Sequence, residues 1–322
     1  MVKLWIDRSQ DLPFSFFWDF QNHTRPVYLG YRWVETVLSL LASCMHRWSS
    51  ISFNRINEKT AKLILGLSIP LSLPIRELLL TSNVYDPSLN SEMWQSIPTS
   101  NLRRFRYYSA HYRPLFSDWS FWSTLTTIQI GHHVSFQDAI ALLIHAVNAE
   151  EIYLATISNA EAYAVPAGKR PIILPSIKSF SVALGSVDLT LLLEHFSAPH
   201  LKILRLCGLN YDIHAPRRLA TFLERSSCPI QEVTLLDMNI GVLAIDFLSV
   251  SAFHTIPVFL IHSGTLKKEE HNEVKEALQK LDVVSNHYIE EETRFVDPVW
   301  GWRWYGWSNS PRLFRHDVNT FS

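Results

Sequence analysis

Histidines, paired glutamates and cysteines are the residues of this 322-residue chain whose types could support catalysis or metal binding. His132 and His133 are adjacent, and an extended chain sends adjacent side chains to opposite sides, which suits a shared metal ion poorly. His195 and His200 flank Pro199 at a helix-to-strand junction, and both histidine pairs read as turn or surface residues. Glu150-Glu151 and Glu269-Glu270 pair carboxylates, but adjacent residues diverge and cannot flank one scissile bond. Glu290 to Glu292 reads as a solvated loop. Cys44, Cys207 and Cys228 form an odd, widely spaced set with no C-x-x-C. That argues against a disulfide framework and a zinc site and fits buried thiols in a reducing compartment, cytoplasmic or nuclear. No HExxH, GxSxG, Walker loop or GxGxxG occurs, and the ten glycines form no phosphate cradle. The expectation is a chain without catalysis, metal or cofactor.

What remains is recognition, and its candidates follow from a repeat. The string Φ-x-x-Φ-x-Φ, with Φ apolar, occurs nine times, starting at Trp48, Ile75, Leu102, Leu125, Ala149, Ile177, Leu201, Ile230 and Phe253. Start-to-start gaps run from 23 to 29 with a mean near 26, inside the leucine-rich-repeat range of about 20–29. Positions 4 and 6 alternate with polar neighbours, so a short strand turns them inward together while position 1 enters the core just before it. Positions 3 and 5 then face away from the core. Across the copies they supply Glu77, Arg104, Arg106, Glu151, Tyr153, Arg205 and Glu232 as candidate protein-binding residues. The expected partner is a protein. The net charge of −1 lacks the basic footprint of a nucleic-acid binder.

Between the strings lie stripes at helical spacing: Trp33, Val37, Leu40, Leu41 and Cys44; Phe136, Ile140, Leu143, Ile144 and Val147; Leu189, Leu192, Leu193 and Phe196; Leu219, Phe222 and Leu223. Ser135 is placed to cap the second, and the fourth runs from Pro216 to a stop at Pro229. Strand, loop and helix at this period predict an α/β fold. The form expected is an irregular leucine-rich-repeat solenoid, or horseshoe, with parallel strands on one face and helices and loops on the other. Residues 1–47 form an aromatic N-terminal cap with a first helix, 48–265 the array of about nine strands, and 266–322 a C-terminal helix and tryptophan-rich tail. In that tail Trp300, Trp302, Trp304, Tyr305 and Trp307 suit a strap packed over the last repeats better than an exposed partner-binding peptide. Phe247 to Leu266 holds no Lys, Arg, Asp or Glu over 20 residues. Pro257, His254, His262 and the repeat pattern assign it to the buried array and not to a membrane span.

The run from SAPHLKILRLCGLN through LATFLERSSCPIQEVTLLDM (Ser197 to Met238) resembles leucine-rich-repeat portions of F-box-like proteins from mushroom-type fungi. So do LWIDRSQDLPFSF near the start and HRWSSISF at His46 to Phe53. The resemblance covers most of residues 1–265. It implies substrate receptors of Skp–cullin–F-box ubiquitin ligases, in which an F-box docks the adaptor and the repeats hold the substrate. Only three residues precede the LWIDRS phrase, and Leu12-Pro13 is the sole Leu-Pro near the start. Adaptor binding is therefore expected only if an F-box lies upstream. The alternative is a repeat scaffold unrelated to ubiquitination.

Overall fold

Apolar residues at every second position are the signature of an extended chain with one buried side. Eight of the nine hexapeptides place a strand in the expected frame. The structure, a computed structural model, describes residues 2–19, 30–56, 58–65, 74–82, 100–109, 120–158, 171–185, 188–208, 213–237, 246–247, 249–263, 296–297 and 302–303. Two units separate along the chain, Met1–Ile289 and Glu290–Ser322.

The first unit opens with helix α1 (Val2–Arg8) and strand β1 (Phe14–Asp19), then helix α2 (Gly30–Ala42) and β2 (Trp48–Ile56). Helix α3 (Glu58–Leu65) precedes β3 (Glu77–Ser82), β4 (Arg104–Ser109) and β5 (Thr127–Ser135). Helix α4 (Phe136–His145) leads to β6 (Glu151–Ser158), the short β7 (Ile172–Ile173) and β8 (Ser179–Gly185). After the single turn α5 (Thr190–Leu193) come β9 (Phe196–Ser197) and β10 (Ile203–Gly208), then α6 (Ala215–Ser226), β11 (Glu232–Asp237) and β12 (Val258–Ser263). Ten strands form one sheet in the order β1-β2-β3-β4-β5-β6-β8-β10-β11-β12. Every pairing in it is parallel, and β7 pairs with β9 apart from it. In the second unit β13 (Val296–Asp297) pairs antiparallel with β14 (Trp302–Arg303). The rest of the tryptophan tail, the helix expected in 266–322 and Glu269-Glu270 lie outside the described residues, as do Glu290 to Glu292.

Register holds the sheet together. From Ser50 through Glu77, Arg104, Thr127, Glu151, Ser179, Ile203 and Glu232 to Val258, each position-3 residue pairs with the next. One residue earlier, a position-2 carbonyl accepts the N–H of both positions 2 and 3 of the following strand. The Arg76 carbonyl takes Arg103 and Arg104, the Glu150 carbonyl takes Lys178 and Ser179, and the Lys202 carbonyl takes Gln231 and Glu232. A third recurrence lies before the strands. The position-1 N–H of Trp48, Leu125, Ala149, Leu201 and Ile256 donates to the carbonyl three residues back, on Met45, Trp122, Ala146, Ala198 and Phe253. Those five residues are themselves buried.

This turn corrects the ninth string. Val258 pairs with Glu232 and Phe259 with Val233, so the last hexapeptide begins at Ile256 and Phe253 is its turn residue. Pro257 consequently occupies position 2. With no N–H to give, it leaves the Gln231 carbonyl only the Val258 donor, at 3.0 Å. Residues 1–47 also contain more than a cap. β1 joins the sheet edge with Phe14 and Trp18 buried and Phe16 packed against Trp48 and Phe53. Arg47 ties α1 to this edge by donating to the Ile6 carbonyl at 3.4 Å and, past the helix, to the Leu12 carbonyl at 3.0 Å while lying over the Phe14 ring.

Two stripes are rotated from expectation. In α2 the buried set is Val34, Val37, Leu38 and Leu41, and Trp33 is exposed beside Trp18. In α4 Ala139 and Leu142 join Phe136, Ile140 and Leu143, while Ile144 and, in the turn after the helix, Val147 are exposed. Ser135 does cap α4, accepting the Asp138 N–H at 3.0 Å. Helix α6 ends before Pro229: Ser227 takes the left-handed conformation (φ 46°) and its N–H donates to the Leu223 carbonyl. The Phe247–Leu266 segment contains a 3-10 turn and β12 in place of any spanning helix. Among the described residues no helix is long and apolar enough to cross a membrane.

Candidate functional site

Because positions 3 and 5 alternate with the inward residues, in-register pairing turns them into two continuous rows across one face of the sheet. The position-5 row runs Ser52, Leu79, Arg106, Gln129, Tyr153, Ser181, Arg205, Thr234 and Leu260. All seven candidate residues, Glu77, Arg104, Arg106, Glu151, Tyr153, Arg205 and Glu232, therefore share this face.

Their charges are partly matched within the rows. Arg104 Nη1 meets Glu77 Oε1 at 2.6 Å across one rung, with both side chains well exposed, a pair that contributes little to stability in water. Arg205 grips Glu232 with two bonds, Nε to Oε1 at 2.7 Å and Nη2 to Oε2 at 3.2 Å. Thr234 adds its hydroxyl to Glu232 Oε1 at 3.2 Å. This second pair is three-quarters shielded, each side chain 23% exposed, and the fork geometry fixes both side chains. Arg106 and Tyr153, both half-buried, flank the buried Gln129 on the position-5 row.

The middle of the face holds residues the candidate set missed. Thr127, Gln129 and Thr234 are buried although they point away from the core. Among the described residues Gln129 Oε1 accepts no hydrogen bond. The legible signal was a short polar residue at positions 3 and 5 of β5 between rungs bearing Arg104 and Arg106 on one side and Glu151 and Tyr153 on the other. Long neighbours cover short ones.

The histidines and glutamates separate as adjacent residues should, with one correction. His133 is exposed, but His132 is buried against the Tyr107 ring, centroids 5.2 Å apart, and is no turn or surface residue. β5 extends past its hexapeptide to Ser135, which carries His132 into the core. Gly131 beside it admits the Tyr108 ring: a Cβ there would lie 1.8 Å from Tyr108 Cδ1. His195 is half-buried edge-on to Phe136, its pKa lowered by burial and partly restored by Glu194, and His200 is exposed. Glu150 pairs with Lys178 at 2.7 Å while Glu151 lies on the outer face. Burial pushes the Cys44 and Cys228 thiols up from their ordinary pKa, the opposite of an activated nucleophile. Among the described residues no group of three or more His, Cys, Asp or Glu is placed to hold a metal ion.

No protein-family model matches the chain, and no curated protein matches it.

Proposed function

We propose that this chain is a non-catalytic protein-interaction module, an irregular leucine-rich-repeat solenoid whose outer sheet face holds a protein partner. The observation that carries the reading is the pair of in-register rows, which gathers residues from strands β3 to β11 into one polar face. Arg and Tyr on that face are the residue types that dominate interface energetics. The rungs Glu77–Arg104 and Arg205–Glu232 pre-organise charged groups of both signs, which favours a partner with complementary alternating charge. The recurring strings also support the resemblance to F-box-associated repeats, and substrate capture for a ubiquitin ligase is the form of the function we favour.

Affinity capture with the full chain tests the reading. A partner retained by the wild type should be lost when Tyr153→Ala is combined with Arg106→Glu, with binding weakened about 100-fold or more. It should be retained by Arg217→Glu, an exposed change on α6. Retention by the double variant would refute the face. Mixing the purified chain with a Skp-type adaptor divides the two forms of the function: a complex supports ligase membership, and its absence favours a free-standing scaffold.

A further inference from the structure

A second place on the sheet is built differently from the outer face. Where β3 and β4 begin, a cleft of about 360 Å³ is lined by Pro74, Arg76, Asn101 and Arg103. Arg76 and Arg103 are the position-2 residues of consecutive strings. The N–H of Arg103 donates to the Arg76 carbonyl at 2.9 Å, so the two stand on neighbouring rungs about one strand spacing, roughly 4.8 Å, apart. Arg103 Nη1 donates to the carbonyls of Leu102 and Thr124, at 3.1 and 3.3 Å. Those bonds anchor one end of its guanidinium. The Arg76 guanidinium makes no hydrogen bond or ion pair among the described residues.

Like charges on adjacent rungs repel, and among the described residues no carboxylate pairs with either Arg76 or Arg103. At positions 2 and 3 of β2 to β5 stand Ser49, Ser50, Arg76, Glu77, Arg103, Arg104, Thr126 and Thr127. Glu77 is the one carboxylate in that set, and Arg104 already holds it at 2.6 Å. Two guanidinium charges are left facing an open cleft. The ligand that matches them carries about two negative charges and several acceptor oxygens within one tetrahedral group, and a phosphate monoester does so at neutral pH. A carboxylate would leave one charge unmatched.

We infer that the Arg76–Arg103 cleft is a binding site for a phosphate dianion, either free hydrogenphosphate or the monoester of a phosphorylated protein side chain. The site does not depend on the outer-face reading, because neither arginine belongs to the position-3 or position-5 rows.

The test uses the full chain at constant ionic strength. Phosphorus NMR of inorganic phosphate should show saturable broadening, and Arg76→Gln or Arg103→Gln should each weaken binding about tenfold. Arg76→Gln is the cleaner variant, since its guanidinium supports no other contact among the described residues. A hexapeptide with one phosphoserine, compared with its unphosphorylated form, separates the sources. Tighter binding than inorganic phosphate assigns the cleft to a phosphorylated side chain, and equal or weaker binding assigns it to the free ion. Unsaturable broadening, equal affinity in both variants and wild type, or equally tight binding of the dimethyl phosphate monoanion would overturn the assignment.

Discussion

Phe196→Ala should lower the unfolding free energy by about 3–5 kcal/mol, the ordinary cost of deleting a fully buried aromatic ring. Phe196 is 0% exposed and lies between two other buried rings, edge-on to Phe180 at 5.4 Å and to Phe222 at 5.2 Å. The three rings join β8, β9 and α6, so one truncation opens a cavity between sheet and helix layers. The backbone here is also tied from the far side: Arg225 Nη2 donates to the Phe196 carbonyl at 2.7 Å and to that of Leu193. These bonds hold the turn in place and limit how far the site can collapse around a missing ring. Ile173→Ala is the matched control, on the strand paired with β9 but 64% exposed, and should change stability by under about 0.5 kcal/mol. Urea midpoints read both. Equal midpoints for Phe196→Ala and wild type would show that the ring chain is not core.

The second large effect is acid lability centred on His132. Burial foremost, with the neighbouring His133 second, holds the His132 pKa down to about 3, against an ordinary value near 6.5 in the unfolded chain. As pH falls below 6.5 the unfolded chain binds a proton that the folded one refuses, so stability present at neutral pH is lost on the way to pH 3. Between pH 7 and pH 5 the loss from this one group is about 2 kcal/mol. Among the described residues Nδ1 of His132 has no hydrogen-bond partner, and the burial that packs its ring beside Tyr107 disfavours the cation. His132→Leu removes the titrating group, and denaturant unfolding at the two pH values should then show a fall smaller by that amount. An unchanged pH dependence would mean that His132 titrates normally in the folded chain.

Much of the sheet was legible because its information is local and redundant. Ile128 and Ile130, or Leu204 and Leu206, announce an inward pair by alternation alone, and the even spacing of such pairs orders the strands. Errors arose where two physical patterns share one template. Phe253-His-Thr-Ile-Pro-Val and Ile256-Pro-Val-Phe-Leu-Ile both satisfy Φ-x-x-Φ-x-Φ, because the turn residue three places before position 1 is also apolar. Only the pairing of Val258 with Glu232 and the Val258 N–H on the Gln231 carbonyl separate the frames. Strand β1 was hidden for another reason: Phe14, Phe16, Phe17 and Trp18 are apolar on both sides, so no alternation marks a strand, although Phe17 proves 62% exposed.

Helix faces were less legible than strands. The expected stripe of Trp33, Val37, Leu40, Leu41 and Cys44 and the buried set of Val34, Val37, Leu38 and Leu41 share Val37 and Leu41, so their centres differ by less than the roughly 100° of one residue, and hydrophobicity alone favours the larger tryptophan. The outer face followed directly once the strands were in register. Its ion pairs did not: Arg205–Glu232 and Arg104–Glu77 join residues 27 positions apart, contacts that only the pairing of whole strands creates. The burial of His132 was invisible for a similar reason, since it depends on β5 continuing five residues past its hexapeptide.

Both the outer face proposed to hold a partner and the arginine cleft depend on strands that neighbour one another in chain order with position 3 aligned. Spin labels at Ser50 paired in turn with Glu151, Ile203 and Val258 measure this by electron–electron distance. They span four, six and eight strand steps, so the distances should rise in that order, from about 19 Å to at most about 38 Å at about 4.8 Å per step. A Val258 label lying nearer to Ser50 than the Glu151 label does would contradict serial pairing, and with it the continuous face.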